Sequence, residues 1–104
     1  MSIFDIFIAY VSWGSGGKRR PVLILEENTD SVTALNITTK YDSKGEDIRA
    51  KYFFINDWQQ AGLEKRSYID TNNTITLPLT AVDSDKIGRL SAADEARLIE
   101  FMNQ

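Results

Sequence analysis

The chain contains no cysteine and no histidine among its 104 residues, and only two prolines. Without cysteine, neither disulfides nor thiolate zinc sites can hold the fold together, and this usage suits a reducing, cytoplasmic environment. Without histidine, the chain lacks the commonest general base and the commonest metal ligand. Any catalysis therefore has to use arginine, lysine, carboxylate or hydroxyl groups, and we expect neither a metal nor another cofactor.

Long apolar runs are also missing. The first dozen residues are apolar, but Asp5 interrupts them, and no run approaches the roughly 20 residues that a membrane helix needs. We expect no signal peptide and no membrane span. The formal net charge of −3 argues against a general nucleic-acid coat, because such binding is driven by many cations. Any nucleic-acid site therefore has to be local.

The residues that are present favour a single, mainly β domain over residues 1–104. Hydrophobic residues make up 42% of the chain and aromatic residues 11%, and Ile, Val and Thr recur in short runs that are typical of strands. Strands are predicted over residues 3–11, 21–25, 31–39, 50–55, 67–71 and 74–79. The first strand is predicted to be buried on much of both faces, and the second and third to form an antiparallel pair around a turn at 27–30. Residues 12–17 and 40–49 are predicted to be loops, the second of them mobile.

Two helices are predicted. Asn56 followed by Gln59 is a capping-box pattern, which predicts a short helix that ends near Gly62. Ser91 caps a last helix, which packs on the sheet or on a partner. Its predicted apolar stripe consists of Ala92, Ala96, Ile99 and Met102, widened by Leu98 and Phe101.

The most informative stretch is the glycine-rich segment 14–25, which delivers three consecutive cations to an apolar strand at Pro21. A cation held between a flexible loop and a rigid strand is suited to meeting a ligand. The alternative is a simple turn followed by a solvated edge that discourages aggregation, and these residues alone favour that alternative. On the third strand, Thr38 shares a face with Asn36, although β propensity also accounts for this threonine.

Four motifs, taken in order, resemble the MazF/PemK family of type II toxin-antitoxin toxins. The family opens with a Gly-Asp-Ile-Val-like strand, continues through a loop into Arg-Pro-Val-Leu-Val-Leu, and later shows Ile-Thr-Ser-Lys. The segment Asp-Lys-Ile-Gly-Arg-Leu-Ser, which precedes the last helix here, also resembles the family's ending. The corresponding segments here are 4–7, 18–25, 36–40 and 85–91. The resemblance therefore spans nearly the whole chain.

The resemblance implies a fold and an activity. The fold is an SH3-like β-barrel of the MazF/PemK/CcdB type, with a short middle helix and a C-terminal helix, usually in a homodimer. The activity is that of a toxin that cleaves single-stranded RNA such as mRNA, as a metal-independent endoribonuclease, and that a cognate antitoxin protein holds in check.

Residue by residue, the resemblance matches Arg20 with the family's catalytic arginine and Thr38 with the threonine of its Ile-Thr motif. The Arg and Asp of the PemK branch's catalytic pair are replaced here by Asp70 and Asn72. Asp70 is the first candidate for the proton acceptor, and the loop carboxylates of Asp42 and Glu46 are alternatives. The residues expected to bind RNA are Trp13, Gly16, Gly17, Lys18, Arg19 and Lys40, with Trp13 stacking on a base.

Two other functions fit the same fold. A CcdB-like binding module would inhibit a protein such as DNA gyrase and would not depend on Arg20 and Thr38 as a pair. A degenerate member would only dimerise and bind an antitoxin-like peptide.

Overall fold

The computed structural model describes all 104 residues, and its regular elements are seven strands and two helices. The strands are β1 (Asp5–Trp13), β2 (Gly16–Glu27), β3 (Ser31–Thr38), β4 (Tyr52–Phe54), β5 (Tyr68–Asp70), β6 (Ile75–Pro78) and β7 (Val82–Arg89). The helices are α1 (Glu46–Arg49) and α2 (Ala92–Met102). Neither is long and apolar enough to cross a membrane.

Every strand pair is antiparallel, in the order β4-β5-β3-β2-β1-β7. Strand β3 has two partners on the same side, because its first half pairs with β6 and its end pairs with β5. Register shifts between Ile24 and Glu26, and twice along the β1–β7 pair, mark bulges, and bulges bend a sheet. The expected mainly β fold with appended helices is confirmed, as is the antiparallel pairing of the second and third strands.

The sheet buries apolar side chains on both faces. Because side chains alternate along a strand, neighbours on one strand enter different clusters: Ile6 and Leu23 lie in the larger cluster, Phe7 and Val22 in the smaller. The larger cluster lies under α2 and contains Phe4, Ile6, Leu23, Leu35, Ile37, Phe53, Ile55, Ala61, Leu63, Ile69, Leu90 and Leu98. The smaller contains Phe7, Ala9, Val11, Val22, Ile24, Val32, Ala34 and Leu77. The prediction that the first strand is buried on both faces is thus confirmed.

The predicted glycine loop over residues 12–17 is wrong in extent. Strands β1 and β2 form a long hairpin in which only Gly14 and Ser15 make the turn, and Trp13 pairs with Gly16. Gly14 takes the turn's left-handed conformation, with φ of 41°. Gly17 is needed for another reason, since a Cβ there would lie 2.5 Å from the Tyr10 hydroxyl oxygen. The two glycines at 16 and 17 are therefore strand residues that make room for aromatic rings.

The middle of the chain also differs from the prediction. The loop predicted over 40–49 contains α1, and the helix predicted over 56–62 is a series of turns. In it, the Leu63 amide reaches back to the Trp58 carbonyl, five residues away, which is not α-helical spacing. Strand β7 was not predicted, because most of its side chains are exposed and its sequence lacks a strand-like apolar alternation.

The turns at 56–63 are held by contacts from elsewhere in the chain. Gly62, with φ of 91°, and Gly88 on β7 lie so close that a Cβ on either would overlap the other segment's backbone. On the other side, the buried Asp94 carboxylate of α2 accepts hydrogen bonds from the backbone N–H groups of Asn56 (3.3 Å) and Asp57 (2.8 Å). The local cap that was predicted is therefore replaced by a carboxylate from the last helix.

Helix α2 begins as predicted but buries a different face. Ser91 Oγ accepts a hydrogen bond from the Asp94 amide, which confirms the N-cap. The centre of the predicted stripe is wrong, since Ile99 is 49% exposed and Met102 41% exposed. Its predicted widening is confirmed, since Leu98 is fully buried and Phe101 packs against the larger cluster. The face that packs on the sheet is defined by Asp94, Leu98 and Phe101. A carboxylate in the first turn of that face makes the apolar periodicity a poor guide to where the face begins.

Replacing Asp94 with alanine is expected to lower the free energy of unfolding by about 2–4 kcal/mol, because backbone donors left without an acceptor cost about 1–3 kcal/mol each. The change strands two backbone N–H groups and removes the carboxylate partner of Arg97 (2.7 Å). Urea denaturation monitored by tryptophan fluorescence measures the loss. The matched control is Glu100→Ala, which removes an exposed carboxylate from the same helix. Equal midpoints for the two variants would contradict the role given to Asp94.

Candidate functional site

A polar pocket of about 270 Å³ opens where β2, β3, β4 and β5 meet the segment that follows β3. It is lined by Trp13, Lys18, Arg20, Asn36, Thr38, Lys40, Lys44, Tyr52 and Asp70. A second pocket of about 210 Å³ shares Lys18, Arg20, Thr38 and Lys40 with the first and adds Arg19, Pro21, Ile37, Thr39 and Ser67. Because the two share these four residues, we treat them as one polar groove.

Arg20 lies at the centre of the groove. Strands β2 and β3 are paired as far as Val22 and Asn36. Arg20 lies two residues before Val22, and its guanidinium Nη2 donates a hydrogen bond to the Ile37 carbonyl (3.1 Å). Its Nε is buried and makes no hydrogen bond within the protein. Burial lowers the pKa of Arg20, and the nearby Tyr52 and Asp70 act in the opposite direction. An arginine stays charged in either case, so the groove has a fixed, oriented cation with a spare donor.

Thr38 is turned so that its proton is available. Its Oγ1 accepts a hydrogen bond from the Lys40 backbone N–H (3.1 Å). A hydroxyl that accepts in this way still has one O–H to donate. The strand alternation that placed Thr38 and Asn36 on one face is confirmed, since both line the pocket. Asn36 adds a buried Oδ1 with no protein partner, an acceptor beside the donors of Arg20 and Thr38.

Asp70 and Tyr52 face each other across the β4–β5 pair, in direct register. Asp70 Oδ1 accepts from the Asn72 amide (2.9 Å), which fixes the carboxylate with its other oxygen free for a ligand. Burial raises the pKa of Tyr52, Asp70 raises it further, and Arg20 opposes both. Arg20 and Asp70 are therefore both close enough to Tyr52 to influence its pKa.

The groove is cationic although the protein is acidic. Its central pocket has four basic side chains, Lys18, Arg20, Lys40 and Lys44, and one carboxylate, that of Asp70. The whole chain has a net charge of −3. Positive charge gathered in a concave surface attracts anions more strongly than its number suggests, because low-dielectric walls focus the field. This arrangement suits a phosphate-bearing ligand.

The other residues expected to bind RNA lie along the same edge. Trp13 is 52% exposed and lines the pocket, with its indole against Gly16. Arg19 points to the opposite face of β2 from Arg20 and pairs with Asp83 on β7; this hydrogen-bonded carboxylate raises the pKa of Arg19. The structure thus separates the three consecutive cations: Lys18 and Arg20 enter the central pocket, and Arg19 lies on the rim of the second.

An aromatic stack holds the segment that contains Lys40 and Lys44. Tyr41 stacks on Tyr68 of β5, with ring centroids 4.3 Å apart. The Arg49 guanidinium of α1 lies over the Tyr41 ring, 5.6 Å from its centroid. Pairs of this kind stabilise by about 0.5–1.5 kcal/mol beyond the area they bury. The stack places both lysines beside Arg20.

Several candidates lie outside the site. Asp42 and Glu46, the alternative proton acceptors, are exposed and line neither pocket, and Asn72 supplies only its backbone N–H to Asp70. Carboxylates do not gather anywhere in a cluster that could hold a metal ion. A larger pocket of about 360 Å³ between Pro21, Leu63 and Ile87 is mainly apolar and lacks the cation cluster.

Sequence reasoning missed Tyr52 and Lys44. Tyr52 belongs to a strand of three residues, and nothing in its neighbourhood along the chain indicates that it meets Asp70. The only sequence signal for Tyr52 was the predicted strand over 50–55. The register of that strand with β5, which brings Tyr52 to Asp70, can be read only from the folded chain.

Solved structures of MazF toxins resemble this chain. The Mycobacterium tuberculosis toxin MazF-mt6 superposes with a TM-score of 0.73 at 29% identity, over 95% of this chain and 92% of the toxin. A second Mtb toxin has a TM-score of 0.63, also at 29% identity, over 81% of this chain and 89% of that one. No protein-family sequence model and no curated protein sequence matches. The resemblance predicted from the Arg20-Pro21 and Ile37–Lys40 motifs is confirmed at the level of the fold, which this chain shares with the MazF toxin.

Proposed function

We propose that this protein is the toxin of a type II toxin-antitoxin system and a metal-independent endoribonuclease that cleaves single-stranded RNA. One observation supports this most directly: Arg20, Thr38 and Asp70 line one cationic pocket on a fold that MazF toxins share. Cleavage through the ribose 2′-hydroxyl needs no metal and no cofactor when the protein supplies the charge, the donors and the base.

Each of the three residues has one task. Arg20 neutralises charge on the attacked phosphate, and its planar guanidinium, which lines the pocket, suits the bidentate geometry of phosphate oxygens. Thr38 donates its hydroxyl to a non-bridging oxygen. Asp70 is the only carboxylate that lines the pocket, and its carboxylate accepts the 2′-hydroxyl proton. The general base, which the sequence left open among three carboxylates, is thereby proposed to be Asp70.

RNA is bound by the rest of the groove. Lys18, Arg19 and Lys40 hold the backbone, Trp13 stacks a base at the exposed edge, and Gly16 and Gly17 keep that edge flat enough for a strand to approach. Aromatic stacking is worth about 1–3 kcal/mol per base and does not depend on the base. Sequence preference therefore comes from other contacts.

The expected partners follow from the same proposal. The protein acts in the cytoplasm as a homodimer, and its antitoxin is a short acidic chain that occupies the cationic groove. Because the CcdB-like and degenerate alternatives need no such convergence of Arg20, Thr38 and Asp70, we place them second.

Substituting Arg20 with alanine is expected to slow RNA cleavage about 10²–10³-fold, or about 2.7–4 kcal/mol, the cost of one lost oxyanion donor. The measurement is cleavage of single-stranded RNA by the purified protein in EDTA. Lys51→Ala removes a cation that is exposed and lies outside both pockets, and it should cleave at the wild-type rate.

Equal RNA loss with Arg20→Ala and wild type would reject Arg20 as a catalytic residue. Growth arrest with intact RNA and accumulating DNA breaks would favour gyrase inhibition. Expression that does not slow growth at all would favour the degenerate antitoxin-binding alternative.

The salt dependence of binding tests the groove separately from catalysis. Replacing Lys18 and Lys40 together with glutamine should reduce the slope of log K against log salt by about 0.7 for each lost phosphate contact with a single strand. Fluorescence anisotropy with a 2′-O-methyl RNA, which cannot be cleaved through that oxygen, measures the slope. A Lys51→Gln control should leave it unchanged, and an unaltered slope in the double variant would place RNA elsewhere.

A further inference from the structure

The proposed reaction requires a proton donor that the three residues above do not supply. When the 2′-oxygen attacks phosphorus, the bond from phosphorus to the 5′-oxygen breaks, and the departing 5′-oxygen has to gain a proton. Asp70 is occupied as the base, Thr38 is a very weak acid, and an arginine does not release its proton in proteins. The chain has no histidine, the side chain that most often acts as a general acid.

The remaining proton-bearing groups of the central pocket are Lys18, Lys40, Lys44, the indole of Trp13 and Tyr52. Lys18 and Lys40 are exposed, where solvated ammonium groups on flexible stems are poorly positioned. Lys44 lies in the irregular segment between β3 and α1, whereas strand pairing fixes the backbone of Tyr52. An indole donates a hydrogen bond but does not act as an acid at neutral pH. Tyr52 alone combines an acidic proton with a fixed backbone position.

We propose that Tyr52 is the general acid of this site, and that its phenol protonates the 5′-oxygen as it leaves the phosphate. The proposal rests on the proposed endoribonuclease activity and adds a residue to it. Tyr52 is half-buried and lies in direct cross-strand register with Asp70. In such pairs the two Cβ atoms are about 4.5–5.5 Å apart, so the acid and the base flank one small volume beside Arg20.

The protonation state supports this role. Desolvation and the Asp70 carboxylate both raise the pKa of Tyr52, and the phenol therefore keeps its proton throughout the neutral range. The effect of Arg20, which lowers that pKa, favours the phenolate that forms when the proton leaves.

The protons balance over one turnover. Asp70 takes the proton of the 2′-hydroxyl, and the 2′-oxygen closes a 2′,3′-cyclic phosphate as the 5′-oxygen departs with the Tyr52 proton. The site then contains a protonated Asp70 and a Tyr52 phenolate. Because the two are neighbours across the strands, the proton returns from Asp70 to Tyr52, directly or through one water, and the starting state is restored without an oxidant or another reactant.

The test uses the full chain and two RNAs of the same sequence, once the cut site has been mapped from wild-type products. In one RNA the bridging 5′-atom at the cut is oxygen, and in the other it is sulfur. A thiolate leaves without protonation, so only the oxygen substrate needs a general acid. Tyr52→Phe, which keeps the ring, should slow cleavage of the oxygen RNA about 100-fold or more and cleave the sulfur RNA within about threefold of wild type.

Matched variants separate the roles. Lys51→Ala, which removes an exposed cation outside both pockets, should behave as wild type on both RNAs. Asp70→Asn should be slow on both, because the base is still needed when sulfur leaves. Circular dichroism and binding of the 2′-O-methyl RNA verify that Tyr52→Phe is folded and binds.

A Tyr52→Phe variant that is equally slow on both RNAs would overturn the acid role in favour of a merely structural one. A variant as fast as wild type on the oxygen RNA would overturn it as well. If wild type cleaves neither RNA nor any other, the endoribonuclease proposal itself is wrong and the acid role is rejected with it.

Discussion

The register of β2 on β3 is the constraint on which the rest of the structure depends. Both strands are buried on both faces, so a slip by one residue would exchange the residues of the two clusters and expose the wrong side chains. The same register, continued past Val22 and Asn36, sets Arg20 beside Thr38. The hydrogen bonds between β2 and β3 therefore fix both the core and the geometry of the site. The bond from Arg20 to the Ile37 carbonyl extends this strand pairing into the site.

The charge of the groove follows from which charged side chains the fold pairs with one another and which it leaves unpaired. Most acidic side chains are distributed over the surface, and Asp5, Asp83 and Asp94 are engaged by arginines or lysines. The cations of the central pocket meet a single carboxylate, that of Asp70. A chain with an excess of acid thus presents a cationic concavity, and the buried, unpartnered atoms of Arg20 and Asn36 lie within it. A ligand that supplies both an acceptor and a donor completes these hydrogen bonds.

Sequence alone predicted what local patterns determine. The burial of β1 on both faces, the alternation in β3 and the Ser91 cap are local, and all are confirmed. Predictions failed where contacts between distant parts of the chain determine the local structure. Asp94 organises residues 56–63, and β7 is a strand because β1 pairs with it. Tyr52 meets Asp70 although thirteen residues outside any strand separate β4 from β5. Ordered motifs indicated Arg20 and Thr38, but only folding identifies which groups surround them.

The contact between Gly62 and Gly88 has a mechanical consequence. Peptide groups, not side chains, meet there, so the spacing between the 56–63 turns and β7 is set by backbone dimensions that rotamer changes cannot alter. Asp94 clamps the same turns from the other side. The turns, β7 and α2 are therefore joined by backbone and carboxylate contacts, so a side-chain substitution elsewhere in this region cannot change the spacing between them.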